Sequence, residues 1–204
     1  MLIASLLMDI NSIEHFITAK LSNGLDKRLS YHGVHHTKDV LSQAMRIAHA
    51  QNVADPESLM LLKVAALFHD SGFLHVYKEH EEKGCMIAKE FLPVFGVSEK
   101  QLQQIFGMIM ATRIPQQPKN YLEEIICDAD LDYLGRDDFY PIGKTLYHEW
   151  KAFGFVKDEE DWNKKQVRFL EAHHYFTDSS IALRASKKAE HLAQLKSIVA
   201  TYND

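Results

Sequence analysis

An almost wholly apolar stretch that ends in a histidine and an aspartate constrains this chain more than any other feature. The stretch runs from Leu59 to Phe68, with Lys63 as its one charged residue, and His69-Asp70 follows it directly. Apolar residues on every face predict a helix that is buried all round. An imidazole and a carboxylate at its end are costly without partners, and a divalent metal ion would satisfy both. A hydrogen-bonded pair or a helix cap is the alternative explanation.

Helical patterns also occur along the rest of the chain. Apolar residues recur at helical spacing from Ser12 to about Leu29 and from about Asn120 to Leu134. Asp55-Pro56-Glu57 predicts the start of the helix that carries His69-Asp70, and Ser98 with Gln101 fits a capping box. No segment shows sustained period-two alternation with β-branched enrichment. The sequence therefore predicts an all-α helical bundle. Further predicted helices begin near His80, Asp137, Asp158 and Thr177.

Length and composition limit the classes of protein that this chain can be. Its 204 residues contain no linker or repeat, so we expect one domain over residues 1–204. A net charge of -5 argues against binding to duplex nucleic acid or to an anionic membrane. The apolar start, Met1–Met8, lacks a preceding basic residue, and we expect it to pack on the core rather than to span a membrane. Cys85 and Cys127 form no CxxC pattern, which suggests reduced thiols in the cytoplasm.

Four places along the chain offer metal ligands, and they come from different predicted helices, as a site inside a helical bundle requires. They are the histidines at 32, 35 and 36, the His69-Asp70 pair, His80, and the aspartates at 128, 130 and 132. Helical periodicity places Asp128 farthest from the apolar face of its helix and so disfavours it. By the same periodicity, Asp130 and Asp132 lie equally close to that apolar face, on opposite sides of it.

The order of these residues resembles that of the HD superfamily of metal-dependent phosphohydrolases, which is all-helical. Tyr31-His32-x-x-x-His36-x-x-Asp39-Val40 is similar to a segment of its cyclic-nucleotide phosphodiesterase branch, in which the second histidine binds metal and the first donates a proton. His69-Asp70 matches the motif that names the superfamily. Ala129-Asp130-Leu131 resembles the step that supplies the last ligand, which favours Asp130 over Asp132.

The resemblance implies a division of roles. The motif core would cover about residues 31–135, with C-terminal helices over 137–202 packed on it. His36, His69, Asp70 and Asp130 would hold one divalent cation, and Asp70 would thereby belong to the catalytic centre together with His32 as proton donor. A hydrogen bond from His32 to the backbone at a helix start is the alternative reading of that residue.

The sequence also departs from other branches of the superfamily. His80-Glu81-Glu82-Lys83-Gly84 resembles the His-x-x-x-Gly of the HD-GYP branch, where the histidine helps to hold a second metal. The histidine pair that follows in that branch and its Gly-Tyr-Pro motif have no counterpart here, which argues against a full dinuclear site and against cyclic-di-GMP cleavage. His80 is therefore a partial second-metal ligand, a substrate contact or an ordinary first residue of a helix.

These residues together predict hydrolysis of a phosphate ester, a nucleotide or a related phosphorylated metabolite, by metal-activated water. Ligand chemistry does not distinguish Mn, Mg, Fe, Co, Ni and Zn. Lys78, Arg113 and Arg136 are candidate phosphate contacts, and each is alternatively a solvated surface charge. A lyase, hydratase or oxygenase of the same fold is a second hypothesis, and a non-catalytic nucleotide sensor is a third. The sequence leaves the oligomeric state open, a homodimer included.

Overall fold

The computed structural model describes residues 9–203, and the expectation for Met1–Met8 lies outside them. Within this part of the chain there are nine α-helices, four short 3₁₀ turns and no strand. The all-α prediction is confirmed. The helices are α1 (Ile10–Gly24), α2 (Val34–Ala50), α3 (Pro56–Phe68), α4 (His80–Phe91), α5 (Glu99–Ala111), α6 (Tyr121–Asp130), α7 (Phe139–Ala152), α8 (Glu159–Ala172) and α9 (Asp178–Ala200).

Several helix starts have the side-chain caps that the sequence predicts. Asp55 accepts a hydrogen bond from the backbone N–H of Ser58 at 2.8 Å, and Pro56 takes the first position of α3. Ser98 and Gln101 form the reciprocal capping box at the start of α5. Thr177 caps α9. These starts are predictable because a cap depends on residues only a few positions apart.

The predicted ends of three helices are wrong. α1 ends at Gly24 rather than near Leu29, because Leu25 adopts extended backbone angles. α6 ends at Asp130 rather than Leu134 and is followed by a 3₁₀ turn over Asp132–Gly135. α3 ends at Phe68, so that His69 caps the helix and Asp70 lies beyond it. The 3₁₀ turn follows from tertiary packing, since a Cβ at Gly135 would lie only 2.4 Å from the carbonyl oxygen of Arg184.

α3 lies at the centre of the larger core. Leu61, Leu62 and the whole run Val64–Phe68 are buried, and the helix packs against α1, α2 and α5. Burial on every face is what the apolar stretch predicts. Because the helix is buried from Leu61 to its end, apart from the half-buried Lys63, the His69-Asp70 pair lies in the interior of the molecule.

A second, smaller core joins the C-terminal helices to the rest. It contains Tyr31, Leu131, Tyr133, Leu134, Phe139, Leu170 and Leu195. The turn after α6 packs on α9 and α7, so the C-terminal helices cover the end of α3 where the two polar residues emerge. A cavity lies between the two cores, and it contains the candidate site. None of the helices among residues 9–203 has the length and apolar character needed to cross a bilayer.

Candidate metal centre and its cavity

The orientation of His69 is fixed by its backbone neighbour one turn earlier. The ring Nδ1 lies 2.8 Å from the carbonyl oxygen of Ala66, and the side chain is fully buried. A carbonyl oxygen only accepts, so Nδ1 carries the proton in this bond. In the neutral ring Nε2 is then an unprotonated acceptor that faces the interior. This is the tautomer in which an imidazole binds a metal ion.

Three further side chains bring acceptor atoms to His69 Nε2. His36 Nε2, from the first turn of α2, lies 3.4 Å away. Asp70 Oδ2 lies 3.2 Å away and Asp130 Oδ1, from the end of α6, lies 3.6 Å away. The ligand atoms of His36, His69 and Asp130 all fall within 4.8 Å of one another. The structure therefore brings together the four residues that the sequence predicts as metal ligands.

The charges of this cluster favour a cation at its centre. Burial opposes ionisation of Asp130, but hydrogen bonds with His36 and His69 lower its pKa to about 2. Burial also opposes the charged form of His69, and yet Asp70 and Asp130 raise its pKa well above the ordinary value. The carboxylates thus stay ionised and attract one positive charge, either a proton or a metal ion.

One atom of the cluster tests whether a metal ion suits it. Asp70 Oδ2 is buried and has no hydrogen-bond donor among the residues that the structure describes. It lies 3.4 Å from His36 Nε2 and 3.2 Å from His69 Nε2, which are themselves ligand-type atoms. Two imidazoles and two carboxylates form a donor set that divalent transition metals prefer. The residues present therefore fit such an ion.

The other oxygen of Asp70 faces the first residue of α4. Asp70 Oδ1 lies 3.5 Å from His80 Nε2, and Glu81 Oε1 is also 3.5 Å from that nitrogen. This approach depends on Gly72, since a Cβ there would lie 1.9 Å from the His80 carbonyl oxygen. The backbone of the turn after His69 therefore touches the start of α4. His80 stays a candidate for a second cation or for a substrate contact.

His32 faces the same cavity, although it does not belong to a helix. α2 begins at Val34, with Gly33 as its cap, so His32 lies two residues before the helix that carries His36. The His32 and His36 rings are nevertheless 6.0 Å apart between centroids. His32 Nδ1 lies 2.5 Å from Glu149 Oε1 rather than against the backbone.

Glu149 of α7 is a buried carboxylate that sequence reasoning misses. Its Oε2 accepts the backbone N–H groups of Tyr31 and His32, and its Oε1 accepts the hydroxyl of Tyr77 at 2.7 Å. Burial opposes its charge, but the hydrogen bond with His32 lowers the pKa of Glu149 below its ordinary value. The ionised carboxylate holds Nδ1–H of His32 and turns Nε2 toward the cavity. In the sequence, Glu149 is only an acidic residue beside the apolar face of its helix.

The cavity has a volume of about 380 Å³ and has Asp70 and Asp130 on its wall. His32, His80 and Glu81 also line it. Its opposite wall comes from α7 and α8, which the motifs do not include. Leu146, Trp150, Trp162, Lys165, Gln166 and Phe169 lie there. A cavity of this size suits a small organic molecule.

The structure places the three candidate phosphate contacts away from this cavity wall. Lys78 is exposed. Arg113 pairs with Glu82, and Arg136 pairs with Asp39 at 2.8 Å and with Asp138 at 2.5 Å. None of the three lines the cavity. The Arg136 side chain is only 16% exposed and has its charge met by carboxylates, so it is not the solvated surface charge of the alternative but a structural ion pair.

The two other aspartates near α6 have structural partners. Asp128 accepts hydrogen bonds from the backbone N–H groups of Phe176 and Thr177 at 2.9 and 2.8 Å. Asp132 is fully buried and accepts from Arg46 and Arg184 at 2.7 and 2.9 Å. The helix ends between Asp130 and Asp132, so the two no longer share one helical face. Periodicity leaves them equal because it assumes a helix that continues.

Comparison with known proteins supports the fold. No protein-family model and no curated protein matches the sequence. A predicted HD superfamily hydrolase from an uncultured Thermotogales bacterium has 19% identity and a TM-score of 0.58, over 94% of this chain and 92% of its own. A structural genomics protein from Lactobacillus plantarum has 17% identity and a TM-score of 0.65, over 98% of this chain and 100% of its own.

These likenesses place the chain in the class of all-helical proteins with the HD-type fold, as the sequence motifs imply. At such identities they establish the fold alone. Function must therefore be inferred from the site itself, where His36, His69 and Asp130 could hold a metal ion.

Proposed function

We propose that this protein is a metal-dependent hydrolase of a phosphate ester, a nucleotide or a related phosphorylated metabolite. The observation that carries the proposal is the convergence of two imidazole nitrogens and two carboxylates at one end of a cavity. His69 Nε2 lies within 3.6 Å of ligand atoms from His36, Asp70 and Asp130. The cavity beside them has room for an organic ester, at about 380 Å³.

His36, His69, Asp70 and Asp130 would hold the cation in this proposal. When bound, a divalent cation would polarise the phosphoryl group and acidify a water molecule. The Ala66 carbonyl oxygen holds the His69 ring at 2.8 Å, so this ligand would have a fixed position before the cation binds. The two carboxylates would balance the charge of the divalent cation, so the net charge of the loaded site would be low.

His32 would supply the proton that the leaving oxygen needs. Its Nδ1 is held by Glu149 at 2.5 Å, so Nε2 is the atom that faces the substrate. The Glu149 carboxylate accepts Nδ1–H of the imidazole and so keeps Nε2, the donating atom, turned toward the leaving oxygen. Phe73 stacks on the His32 ring at 4.1 Å between centroids and restricts its rotation. In this scheme Glu149 is a positioning residue and His32 is the general acid.

The proposal is tested by metal content and turnover in parallel. Purified protein is loaded with Mn²⁺, Mg²⁺, Co²⁺ or Zn²⁺, its bound metal is measured by mass spectrometry, and phosphate or nucleoside release is followed on a panel of mono- and diesters. Asp70→Asn removes a ligand, and Asp137→Asn is the matched control because Asp137 is 96% exposed.

We expect metal-dependent release from at least one ester, lost in Asp70→Asn and kept in Asp137→Asn. Protein that holds metal but turns over no ester above the Asp70→Asn background would refute the hydrolase. A lyase, hydratase or oxygenase reaction, or nucleotide binding without turnover, would then be measured on the same preparations.

A further inference from the structure

The cavity next to the proposed metal centre is divided into a polar end and an apolar chamber. The polar end is lined by Asp70, Asp130, His32 and His80. The chamber is built by side chains of α7 and α8 together with the loop after α5, and apart from Lys165 and Gln166 of α8 its walls there are mostly apolar. Leu146, Trp150, Trp162, Phe169, Leu170 and Ile114 form its walls. Such a wall stabilises an apolar group that leaves water.

Aromatic rings form one wall of the cavity. The Phe73 ring stacks on His32 at 4.1 Å and on His80 at 4.0 Å between centroids, with interplanar angles of 23° and 24°. The His32 and His80 rings are inclined at 47° to each other, so the wall is aromatic but uneven. A planar group of the substrate can pack against aromatic surfaces of this kind.

Three polar side chains of the chamber already have partners. The Tyr77 hydroxyl donates to Glu149 at 2.7 Å, the Gln166 amide donates to Asn163 at 3.2 Å, and the Thr112 hydroxyl donates to Ile109 at 2.8 Å. A highly hydroxylated substrate placed there would lose bonds to water without gaining equivalent ones. The chamber therefore favours an organic group with few hydrogen-bonding atoms.

The charges of the wall also disfavour additional phosphates. Among the described residues, Lys165 is the only lysine or arginine on the cavity wall, and it pairs with Asp161. Glu81 is buried and adds a negative charge to the same wall. A di- or triphosphate would bring several charges into a chamber without free cations, and buried charges need partners.

We propose that the site takes a monophosphate ester whose organic group is flat and apolar, in preference to a nucleoside di- or triphosphate. The position of the phosphoryl group in this inference rests on the proposed function. The preference for an apolar organic group and against further phosphates rests on the chamber. The phosphoryl group would lie beside the cation that Asp70 and Asp130 would hold, and the organic group would lie between the Phe73 ring and the walls from α7 and α8.

Binding of three phosphonates tests the inference. The P–C bonds of methylphosphonate and benzylphosphonate are not hydrolysed, and β,γ-methylene-ATP, which keeps a 5′-phosphate ester, is checked by chromatography for hydrolysis after each titration. Methylphosphonate, benzylphosphonate and β,γ-methylene-ATP are titrated calorimetrically into Mn²⁺-loaded protein. The phenyl ring buries enough apolar surface that we expect benzylphosphonate to bind about tenfold or more tighter than methylphosphonate. We expect β,γ-methylene-ATP to bind more weakly than benzylphosphonate.

Two variants locate the preference in the chamber. Leu146→Gln and Phe169→Leu change half-buried wall residues, and both should reduce the benzyl preference while leaving methylphosphonate affinity unchanged. Val94→Gln is the surface control, since Val94 is 79% exposed and lies outside the cavity wall.

Equal affinity for methyl- and benzylphosphonate, tightest binding of the ATP analogue, or no binding of any of the three would overturn the inference. A benzyl preference in a protein that hydrolyses no ester would refute the proposed function and leave the chamber assignment standing. Hydrolysis of an ester without a benzyl preference would support the proposed function and refute the chamber assignment.

Discussion

Replacing Glu149 by glutamine separates the proposed proton donor from the proposed metal centre. Glu149 bonds the His32 side chain but is not one of the four proposed ligands, so the change leaves the cation site in place. Glutamine has nearly the same shape as glutamate and removes the negative charge. The prediction is a selective loss of leaving-group protonation.

The size of the loss follows from the four hydrogen bonds of this carboxylate. Oε2 accepts two backbone N–H groups, and Oε1 contacts the His32 imidazole at 2.5 Å and the Tyr77 hydroxyl at 2.7 Å. A glutamine has one accepting oxygen, so one of the two pairs loses its acceptor whichever way the amide turns. A hydrogen bond to a charged group contributes roughly 1.5–3 kcal/mol. The rate of a step that needs the His32 proton should fall about 10–100-fold.

Two esters with similar rings but different leaving groups provide the assay. Benzyl alkoxide needs a proton to leave, whereas p-nitrophenolate is a stable anion and does not. We expect kcat/KM for benzyl phosphate to fall about 10–100-fold in Glu149→Gln and kcat/KM for p-nitrophenyl phosphate to fall less than about threefold. Glu159→Gln, at an exposed position of α8, is the control. Equal losses on both esters, or a loss of bound metal, would refute the reasoning.

Two further predictions concern stability. Gly72→Ala should lower the free energy of unfolding by about 1–3 kcal/mol, because the new Cβ would lie 1.9 Å from the His80 carbonyl oxygen. Gly143→Ala is the control, since its Cβ would meet nothing closer than 3.4 Å. Equal urea midpoints for the two variants would contradict the packing argument. Burial lowers the pKa of His173 to about 3. Below pH 6.5 the unfolded chain therefore binds a proton at His173 that the native chain does not. As the pH is lowered from 6.5, the free energy of unfolding should fall by up to about 1.4 kcal/mol per pH unit. His173→Phe should lose less stability between pH 7 and 5 than the exposed-site control His174→Gln, and parallel losses would contradict the assignment.

The predictable parts of the fold depend on neighbouring residues. The caps at Asp55, Ser98 and Thr177 are correct because each involves a side chain and a backbone N–H three positions later. The end of α6 is not predictable in this way. Gly135 packs against the backbone of Arg184, far along the chain, and this contact favours a 3₁₀ turn where periodicity predicts more helix.

The same distinction applies to the candidate site. The sequence identifies the residues whose chemistry is unusual for their setting, above all a His-Asp pair at the end of a buried helix. It does not identify Glu149 or the chamber walls, because an acidic residue in an amphipathic helix and a set of tryptophans and leucines are ordinary core and surface patterns. Their role arises only when α7 and α8 pack over the end of α3.

The position of α7 links reaction and specificity in this molecule. Glu149 and Trp150 are neighbours on that helix, and Leu146 lies one turn earlier. Glu149 holds the proposed proton donor, while the other two line the chamber for the organic group. In this proposal, α2, α3 and α6 carry the proposed metal ligands, while sequence changes on α7 and α8 would alter the preferred substrate. Changes in the chamber should alter which ester is preferred, and changes at Glu149 should alter how strongly the rate depends on the leaving group.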